Sequence, residues 1–354
     1  MKEGEFRIPS GCAIAALIHK DKHRENGERI TQAMQMMHER SNGLGGGFAA
    51  YGIYPEHKNE YALHLFYDTL QCKDACEAYL SHHWNILHEE EIPTKPHSQI
   101  KDAPLIWRYF IESVEHDENK MTETMFYVNT SITGAYIFSC GKNMGVFKGV
   151  GYPEDLAEFY CLNQYQAYTW IAHGRYPTNT PGWWAGAHPF GMLDFALVHN
   201  GEISSYDANR RYIEMFDYPC SLLTDTEVIT YELDFLMRKH QLSFVECADI
   251  LAAPFWDEID QMRPDKKRYY TMLRRNLGSM LINGPFSIIL GFQDGVGAMN
   301  DRLKLRSLMI GEQASCVYMA SEESAIRKMS PQLNRLFSLK AQEAYVVTYE
   351  EDAK

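Results

Sequence analysis

Four short windows of this chain carry residue types that together could perform an acyl transfer. They supply a thiol, an arginine three residues before a threonine, an asparagine followed by a glycine, and an aspartate between two threonines. An acyl transfer needs a nucleophile, groups that hold the substrate, and donors that stabilise a developing oxyanion. The residues concerned are Cys12, Arg175, Thr178, Asn200, Gly201 and Asp225.

Several of these side chains suit one part of that reaction on chemical grounds. A thiolate is the best protein nucleophile available near neutral pH, so Cys12 is the candidate nucleophile. The planar guanidinium of Arg175 can bind a carboxylate through two parallel hydrogen bonds. Asn200 offers a donor amide, and Gly201 lets a ligand approach the backbone closely.

Local structure offers a second interpretation of each window. Cys12 opens an apolar run and could be a buried free cysteine in a strand, and Arg175 could be a surface arginine. Asn200-Gly201 is also a common turn dipeptide between two apolar runs. Thr224-x-x-Glu227 predicts a capping box ahead of an amphipathic helix, with Asp225 in its first turn.

Taken together, the windows resemble a known family. His173–Ile203 contains TNT, W, HPF and HNGEI in that order. With Cys12 and Thr224–Glu227, this segment resembles the glutaminase domain of class II glutamine amidotransferases, which are hydrolases of the N-terminal-nucleophile type. The pattern is most similar to the amidotransferase domain of glutamate synthase, although Lys304 stands where glycine is usual. The resemblance covers roughly residues 12–330 and implies an α+β fold, the four-layer αββα sandwich.

In the family that the chain resembles, the nucleophile is the first residue of the mature protein. Cys12 would then use its own α-amino group as general base, which requires removal of a propeptide, residues 1–11. Gly11 has no side chain to block attack of the Cys12 thiol on its carbonyl, so we expect self-processing at this bond. The resemblance also implies that the Asn200 side chain and the Gly201 N–H form the oxyanion hole.

Charges of both signs would hold the substrate, L-glutamine, at its α-carbon. The resemblance assigns the α-carboxylate to Arg175, with Thr178 beside it, and the α-ammonium group to Asp225. His188 matches a recurrent family position, but a single histidine is more often structural, and we assign it no catalytic role.

The composition predicts a cytoplasmic protein without a membrane span. The chain has 354 residues, and 34 basic against 47 acidic residues give a net charge of −13, which argues against nucleic acid or anionic membrane as a partner. It has neither an 18-residue apolar run nor a signal-peptide pattern. Its eight cysteines lack disulfide-scaffold spacing and are expected to be reduced. We expect residues 12–354 to form a single domain.

Strand patterns at both ends, with helices between them, predict two packed antiparallel sheets flanked by helices. The patterns also predict a helix over 71–90 and a strand near 123–131. The glycine cluster of Ser41–Gly47 precedes a strand, which favours a turned loop near the active cleft over a phosphate site. Cys72 and Cys76 lie four apart on the predicted helix and leave a metal site open, but they lack CxxC spacing, and we expect no metal.

Glutaminase domains pass ammonia to a second site, and the sequence lacks the motifs of several such sites. It has no ATP-pyrophosphatase loop, no GxGxxG unit and no clustered cysteines for flavin or iron–sulfur centres. We therefore expect a glutaminase subunit without a cofactor of its own, whose partner chains carry the FMN and iron–sulfur cluster of a split glutamate synthase. Two alternatives stay open: a subunit of an N-methylglutamate synthase-type system, and a non-catalytic subunit that binds glutamine or glutamate.

Overall fold

The structure is a computed structural model that describes residues 11–112, 117–176 and 182–350. In chain order its strands are β1 (Ala13–His19), β2 (Gly46–Tyr51), β3 (Tyr61–Tyr67), β4 (Asn85–Glu91), β5 (Leu105–Glu112), β6 (Ala135–Ser139), β7 (Met144–Gly149), β8 (Thr169–Gly174), β9 (Phe190–Met192), β10 (Phe195–Gly201), β11 (Phe286–Phe292), β12 (Gly295–Asn300), β13 (Met309–Gln313), β14 (Cys316–Ala320), β15 (Arg335–Ser338) and β16 (Ala344–Thr348). The helices are α1 (Glu28–Gln35), α2 (Leu70–His83), α3 (Glu118–Ser131), α4 (Pro153–Phe159), α5 (Tyr206–Glu214), α6 (Asp225–Asp234), α7 (Phe244–Leu251), α8 (Trp256–Asp260), α9 (Pro264–Asn276) and α10 (Glu323–Met329). Among these described helices, none is both long and apolar enough to cross a bilayer.

Strand β1 lies in the middle of a seven-stranded antiparallel sheet, here called sheet 1, with the order β15-β13-β14-β1-β8-β2-β7. All seven residues of β1 are buried, because other layers cover both faces of the sheet and such a strand needs a continuous apolar run. Ala13 opposes Gly174 of β8. This pairing places Cys12, which precedes β1, beside the residues that follow β8.

A second antiparallel sheet, sheet 2, packs face to face on sheet 1. Its order is β16-β12-β11-β10-β9, and β10 contacts both β1 and β8. Helices α1, α4 and α10 pack on sheet 1, whereas α6 and α7 pack on sheet 2. The layers therefore follow the order helix, sheet, sheet, helix, and the predicted four-layer αββα sandwich of α+β class is confirmed.

A third sheet, which the sequence analysis did not anticipate, adjoins this sandwich. Its antiparallel strands follow the order β4-β5-β3-β6. Strand β6 contacts β9 of sheet 2 and β7 of sheet 1, and helices α2 and α3 pack against the third sheet. The sandwich is thus widened at one edge.

The predicted helix over residues 71–90 is wrong in its last seven residues. Helix α2 ends at His83, and Asn85–Glu91 form the edge strand β4, which pairs with β5. The glutamate-rich sequence NILHEEE favours a helix by intrinsic propensity. Pairing with a neighbouring strand overrides that weak preference.

The predicted strand near residues 123–131 is also wrong, because this segment belongs to α3. The Asp117 side chain caps the helix by accepting a hydrogen bond from the Asn119 N–H at 2.8 Å. Met121, Met125 and Val128 are buried on one face at helical spacing. The β-branched and aromatic residues of the segment suggested a strand, but this apolar stripe decides for the helix.

Helix α6 is almost wholly buried, and it begins differently from the prediction. Residues 226–234 are all buried. Thr224 occupies the N-cap position without a side-chain cap bond. Glu227 instead accepts hydrogen bonds from the backbone N–H groups of Ser221 (3.1 Å) and Leu222 (2.9 Å). The predicted capping box is therefore wrong, and Glu227 ties the preceding loop to the helix.

We expect Glu227 to make stability depend on pH. Burial raises the pKa of its carboxyl to about 7, even though the N–H donors of Leu222 and Ser221 oppose this rise. The unfolded chain releases this proton near pH 4.5, its ordinary pKa, so the free energy of unfolding falls as pH rises from there to about 7. Glu227→Gln should reduce the fall between pH 5 and pH 7 by about 2 kcal/mol, measured by urea unfolding. An unchanged pH dependence in the variant would contradict this assignment.

Candidate functional site

Two adjacent strand ends bring the thiol and the arginine together. The Tyr176 N–H, which follows β8, donates a hydrogen bond to Cys12 Sγ at 3.3 Å. Arg175 is buried, and its backbone is held by the glycine-rich loop: its N–H donates to the Gly45 carbonyl at 2.9 Å, and its carbonyl accepts from the Asn42 N–H at 3.2 Å. The glycine cluster thus forms a turned loop beside this cleft, as predicted.

Strand β10 of sheet 2 brings Asn200 to the same place. Asn200 is fully buried, and its Nδ2 lies 3.5 Å from Ser321 Oγ, the outer limit of a hydrogen bond. Within the described part of the chain, its Oδ1 has no hydrogen-bond partner. A Cβ placed on Gly11 would lie 2.9 Å from that oxygen. The backbone immediately before Cys12 therefore runs directly past the Asn200 side chain.

The backbone at Gly201 leaves no room for a side chain. Its φ is +155°, a conformation that L-residues rarely adopt, and a Cβ there would lie 2.0 Å from the Pro285 carbonyl oxygen. Gly201 pairs with Phe286 at the start of β11. Close packing of two strands therefore requires glycine at this position.

Asp225 begins α6 and is held by several donors. Its Oδ2 accepts from the Ile203 N–H at 3.2 Å, and its Oδ1 lies 3.5 Å from His199 Nδ1 and 3.2 Å from Thr226 Oγ1. Burial raises the pKa of Asp225, but His199 and these hydrogen bonds hold it below its usual value overall. Asp225 is therefore an ionised carboxylate at a helix N-terminus, where negative charge is favoured.

The charges around Cys12 act in both directions on its thiol. Burial raises the pKa of Cys12, and the negative charge of Asp225 adds to this rise. The Tyr176 N–H and the guanidinium groups of Arg175 and Arg306 oppose it, and the net pKa is above the ordinary value. Burial in turn lowers the pKa of Arg175, against the influence of Cys12 and Asp225. Thiol, guanidinium and carboxylate thus lie within electrostatic reach of one another.

Five of the six predicted site residues are therefore brought together, and the sixth, Thr178, lies outside the described residues. The departure noted at Lys304 is accommodated: its φ is +56°, the left-handed backbone that the glycine usual in the family adopts readily. The loop conformation at this position does not depend on glycine.

Two further residues of the site, Arg306 and Ser321, were not predicted from the sequence. A Cβ on Gly11 would lie 3.0 Å from Arg306 Nη1, so this second guanidinium also borders the segment before the thiol. Ser321 Oγ accepts the Ile14 N–H at 3.1 Å and faces Asn200. Both lie within residues 12–330, over which the sequence resembles the family, and this resemblance was the signal that could have identified them.

Two buried histidines contact Thr226, which lies behind Asp225, and a third stacks on one of them. The rings of His173 and His188 stack at 4.3 Å between centroids. His188 Nε2 lies 2.7 Å and His199 Nδ1 3.2 Å from Thr226 Oγ1. Burial lowers the pKa of His173 to about 3 and that of His188 well below its usual value, so both rings are neutral. His188 and His199 orient Thr226, whose hydroxyl donates to Asp225 Oδ1 at 3.2 Å.

The predicted alternative of a metal site at α2 gains no support. In residues 11–112, 117–176 and 182–350, no three His, Cys, Asp or Glu side chains are grouped as metal ligands. Cys72 Sγ contacts Thr69 Oγ1 at 3.1 Å, and Cys76 is fully buried. The two thiols are helix-packing groups in this structure.

Comparison with known proteins identifies the family. The sequence profile of the class II glutamine amidotransferases matches residues 71–347. The chain therefore belongs to the class II glutamine amidotransferases, as its motifs indicated. The profile match begins after Cys12, so the placement of the thiol rests on the geometry described above.

Proteins with several different names are similar in sequence to this chain. An uncharacterized protein of Archaeoglobus fulgidus is 47% identical over 337 residues, covering 92% of this chain and 89% of that protein. The amidophosphoribosyltransferase of Methanocaldococcus jannaschii is 26% identical over 53% of this chain and 35% of its own length. The glutamate synthase [NADPH] large chain of Bacillus subtilis is 26% identical over 58% of this chain and 15% of its own length. Because the chain is 26% identical to each of these last two proteins, sequence identity does not assign it to either branch of the family.

We expect Gly201→Ala to destabilise the fold by about 2 kcal/mol or more, because the new methyl group would meet the Pro285 carbonyl at 2.0 Å and force a strained φ. Gly278→Ala is the matched control, since a Cβ there meets no heavy atom within 4 Å, and its effect should stay within about 0.5 kcal/mol. Thermal and urea unfolding of both variants measure the difference. Equal stability of the two variants would refute the close strand contact at Gly201.

Proposed function

We propose that this chain is a glutaminase subunit that hydrolyses L-glutamine to glutamate and passes the ammonia to a separate synthase chain. The observation that carries the proposal is the convergence of the Cys12 thiol, the Arg175 guanidinium and the Asp225 carboxylate beside Asn200 and Gly201. These groups come from both sheets and from the start of α6. A purely structural role would not require opposite charges at a half-buried thiol.

The proposed reaction is an acyl transfer through a thioester. The Cys12 sulfur attacks the side-chain carbonyl carbon of glutamine, and the displaced electron pair moves onto the oxygen. Asn200 Nδ2, whose contact with Ser321 is long at 3.5 Å, and the Gly201 N–H would donate to that oxyanion. During the attack the α-amino group of Cys12 takes the thiol proton. When the intermediate collapses, the C–N bond breaks and this proton passes to the leaving nitrogen, which is released as ammonia. Water then hydrolyses the thioester to glutamate and restores the thiol.

Arg175 and Asp225 would hold the two charged groups on the α-carbon of glutamine. The guanidinium matches the α-carboxylate, and the carboxylate of Asp225 matches the α-ammonium group. Asp225 suits this role because it is ionised and rigidly held by the Ile203 N–H and by Thr226. Thr178 would complete the binding site. Fixing both charges positions the side-chain amide at the thiol.

The catalytic α-amino group requires removal of residues 1–11, and the surroundings of Gly11 support processing at this bond. Gly11 has φ of +120°, and a Cβ there would crowd both Asn200 Oδ1 and Arg306 Nη1. Attack of the Cys12 thiol on the Gly11 carbonyl would transfer the acyl group of residues 1–11 from the Cys12 nitrogen to its sulfur. Hydrolysis of this thioester would release residues 1–11 and leave residues 12–354 as one catalytic domain.

The acceptor of the ammonia is proposed to be a split glutamate synthase, with FMN and an iron–sulfur cluster on partner chains. The HPF and HNGEI motifs favour it, and the glutamate synthase large chain is among the relatives. All eight cysteines are free, which is consistent with the reducing cytoplasm. The net charge of −13 gives no reason to expect nucleic acid or an anionic membrane as partner.

The glutaminase proposal predicts a specific mass change. The purified chain, treated with an electrophilic glutamine analogue, should lack residues 1–11 and carry one adduct, located on Cys12 by peptide mapping. Asn200→Ala should slow glutamine hydrolysis by about 10²–10³-fold, because one oxyanion donor is lost. Asn85→Ala, at an exposed asparagine on β4, is the control and should retain full activity. A full-length chain without an adduct would instead favour a non-catalytic binding subunit.

The partner proposal predicts association with a flavoprotein. Affinity purification of the tagged chain from its native cells should recover a second chain with flavin absorbance and iron–sulfur signals. Glutamine hydrolysis by the chain should rise when this partner is added, because ammonia-producing sites are commonly gated by loop closure. An active glutaminase that never recovers a flavoprotein would leave the chemistry intact and reject this acceptor.

A further inference from the structure

A second cysteine, Cys316, lies in a hydrogen-bonded series with a histidine and a carboxylate. Cys316 opens β14 and opposes His19, the last residue of β1. Its Sγ lies 3.1 Å from His19 Nδ1, and His19 Nε2 lies 3.0 Å from Glu25 Oε2. Arg29 of α1 donates to the other Glu25 oxygen at 2.9 Å. Thiol, imidazole and carboxylate follow one another in the order that activates nucleophiles.

The contacts of His19 favour the imidazolium form. One ring nitrogen faces the sulfur and the other faces a carboxylate, and a neutral imidazole can donate from only one of them. Burial alone lowers the pKa of His19, but the hydrogen bonds with Cys316 and Glu25 raise it to about 9. Burial raises the pKa of the Cys316 thiol, because it disfavours the charged form here too. His19, the Tyr318 hydroxyl and Arg29 outweigh this effect, and the pKa of Cys316 is below its ordinary value.

The groups around this pair come from every element packed against it. Glu25 is fixed by backbone bonding to Ala167, and it is ionised because His19 and Arg29 outweigh the effect of burial on its pKa. The His23 ring lies 5.2 Å from that of His19. The titratable and charged groups that face the pair are Asp21, His23 and Glu25 in the segment after β1, Arg29 on α1 and Tyr318 on β14.

This cluster is separate from the Cys12 site. Cys12 and His19 are at opposite ends of β1, which puts them about 20 Å apart along an extended strand. Cys316 is partly exposed, so a small reagent can reach its sulfur, whereas His19 is buried. The proposed glutamine chemistry uses none of these residues, and the inference that follows is independent of it.

We propose that Cys316 is a thiolate paired with the His19 imidazolium, and that it is an oxidative modification site for small hydroperoxides. The thiolate sulfur attacks the terminal oxygen of the hydroperoxide, and the O–O bond breaks. Sulfur is oxidised to a sulfenic acid, and the peroxide is reduced to an alcohol, or to water from hydrogen peroxide. The leaving alkoxide or hydroxide takes its proton from His19, which becomes neutral. Glu25 positions the imidazole throughout.

The pH profile of alkylation tests the ion pair without any variant that must fold. Iodoacetamide modification of Cys316 is followed by peptide mass spectrometry at pH 6 and pH 9, with N-acetylcysteinamide as the ordinary thiol in the same tube. The rate for the ordinary thiol should fall by about 10²-fold at pH 6, because few of its molecules are thiolates. The rate for Cys316 should fall less than about threefold, since an ion-paired thiolate persists. A fall at Cys316 equal to that of the reference overturns the proposal.

A variant identifies the cause, and a trapping reagent identifies the product. In His19→Asn the Cys316 rate should fall at pH 6 as steeply as that of the ordinary thiol, and a profile unchanged from wild type would reject the role of His19. Hydrogen peroxide followed by dimedone should label Cys316 in the wild-type chain and leave the corresponding peptide of Cys316→Ser unlabelled. Absence of dimedone label on wild-type Cys316 rejects the hydroperoxide site.

Discussion

The antiparallel pairing of β1 with β8 is the interaction on which the site depends. It sets Ala13 against Gly174, so the thiol before one strand meets the backbone after the other. A register shift of one residue would move Cys12 by about 3.3 Å along the strand and break its contact with the Tyr176 N–H. Pairing of β1 with β14 on its other side prevents such a shift. The position of the thiol is therefore a property of the whole sheet.

Sheet 2 and helix α6 supply polar groups that sheet 1 alone does not bring to the site, because one sheet edge offers few side chains. Strand β10 adds Asn200, and the start of α6 adds Asp225. Burying a carboxylate between layers is costly unless donors compensate it. Ile203, Thr226 and His199 provide that compensation, while stacked neutral histidines fill the space behind them. The polar groups of the site thus form part of the packing between sheet 2 and α6.

The sequence predicted the parts that depend on local pattern. Apolar runs identified β1 and the strands of the last third, and the motif windows identified five residues that meet in the structure. Contacts between distant segments escaped prediction: Arg306 beside Gly11, and Cys316 beside His19, depend on pairing across some three hundred residues. Strand β4 was missed because its polar sequence suits a helix until a neighbouring strand pairs with it. The capping box was wrongly predicted because the Glu227 carboxylate accepts hydrogen bonds from two N–H groups of the preceding loop.

The crowding of Gly11 by Asn200 and Arg306 has a consequence for how the protein would mature. If residues 1–11 leave by attack of Cys12 on the preceding carbonyl, each molecule consumes its own leader in a unimolecular step. Maturation then proceeds at the same rate in dilute and concentrated protein, and no protease has to find the cleavage point. Until that step occurs, Cys12 has no free α-amino group, and the Gly11 backbone stays beside the Asn200 side chain. Newly made chains would therefore be silent, and ammonia would be released only by molecules that have finished folding around Cys12.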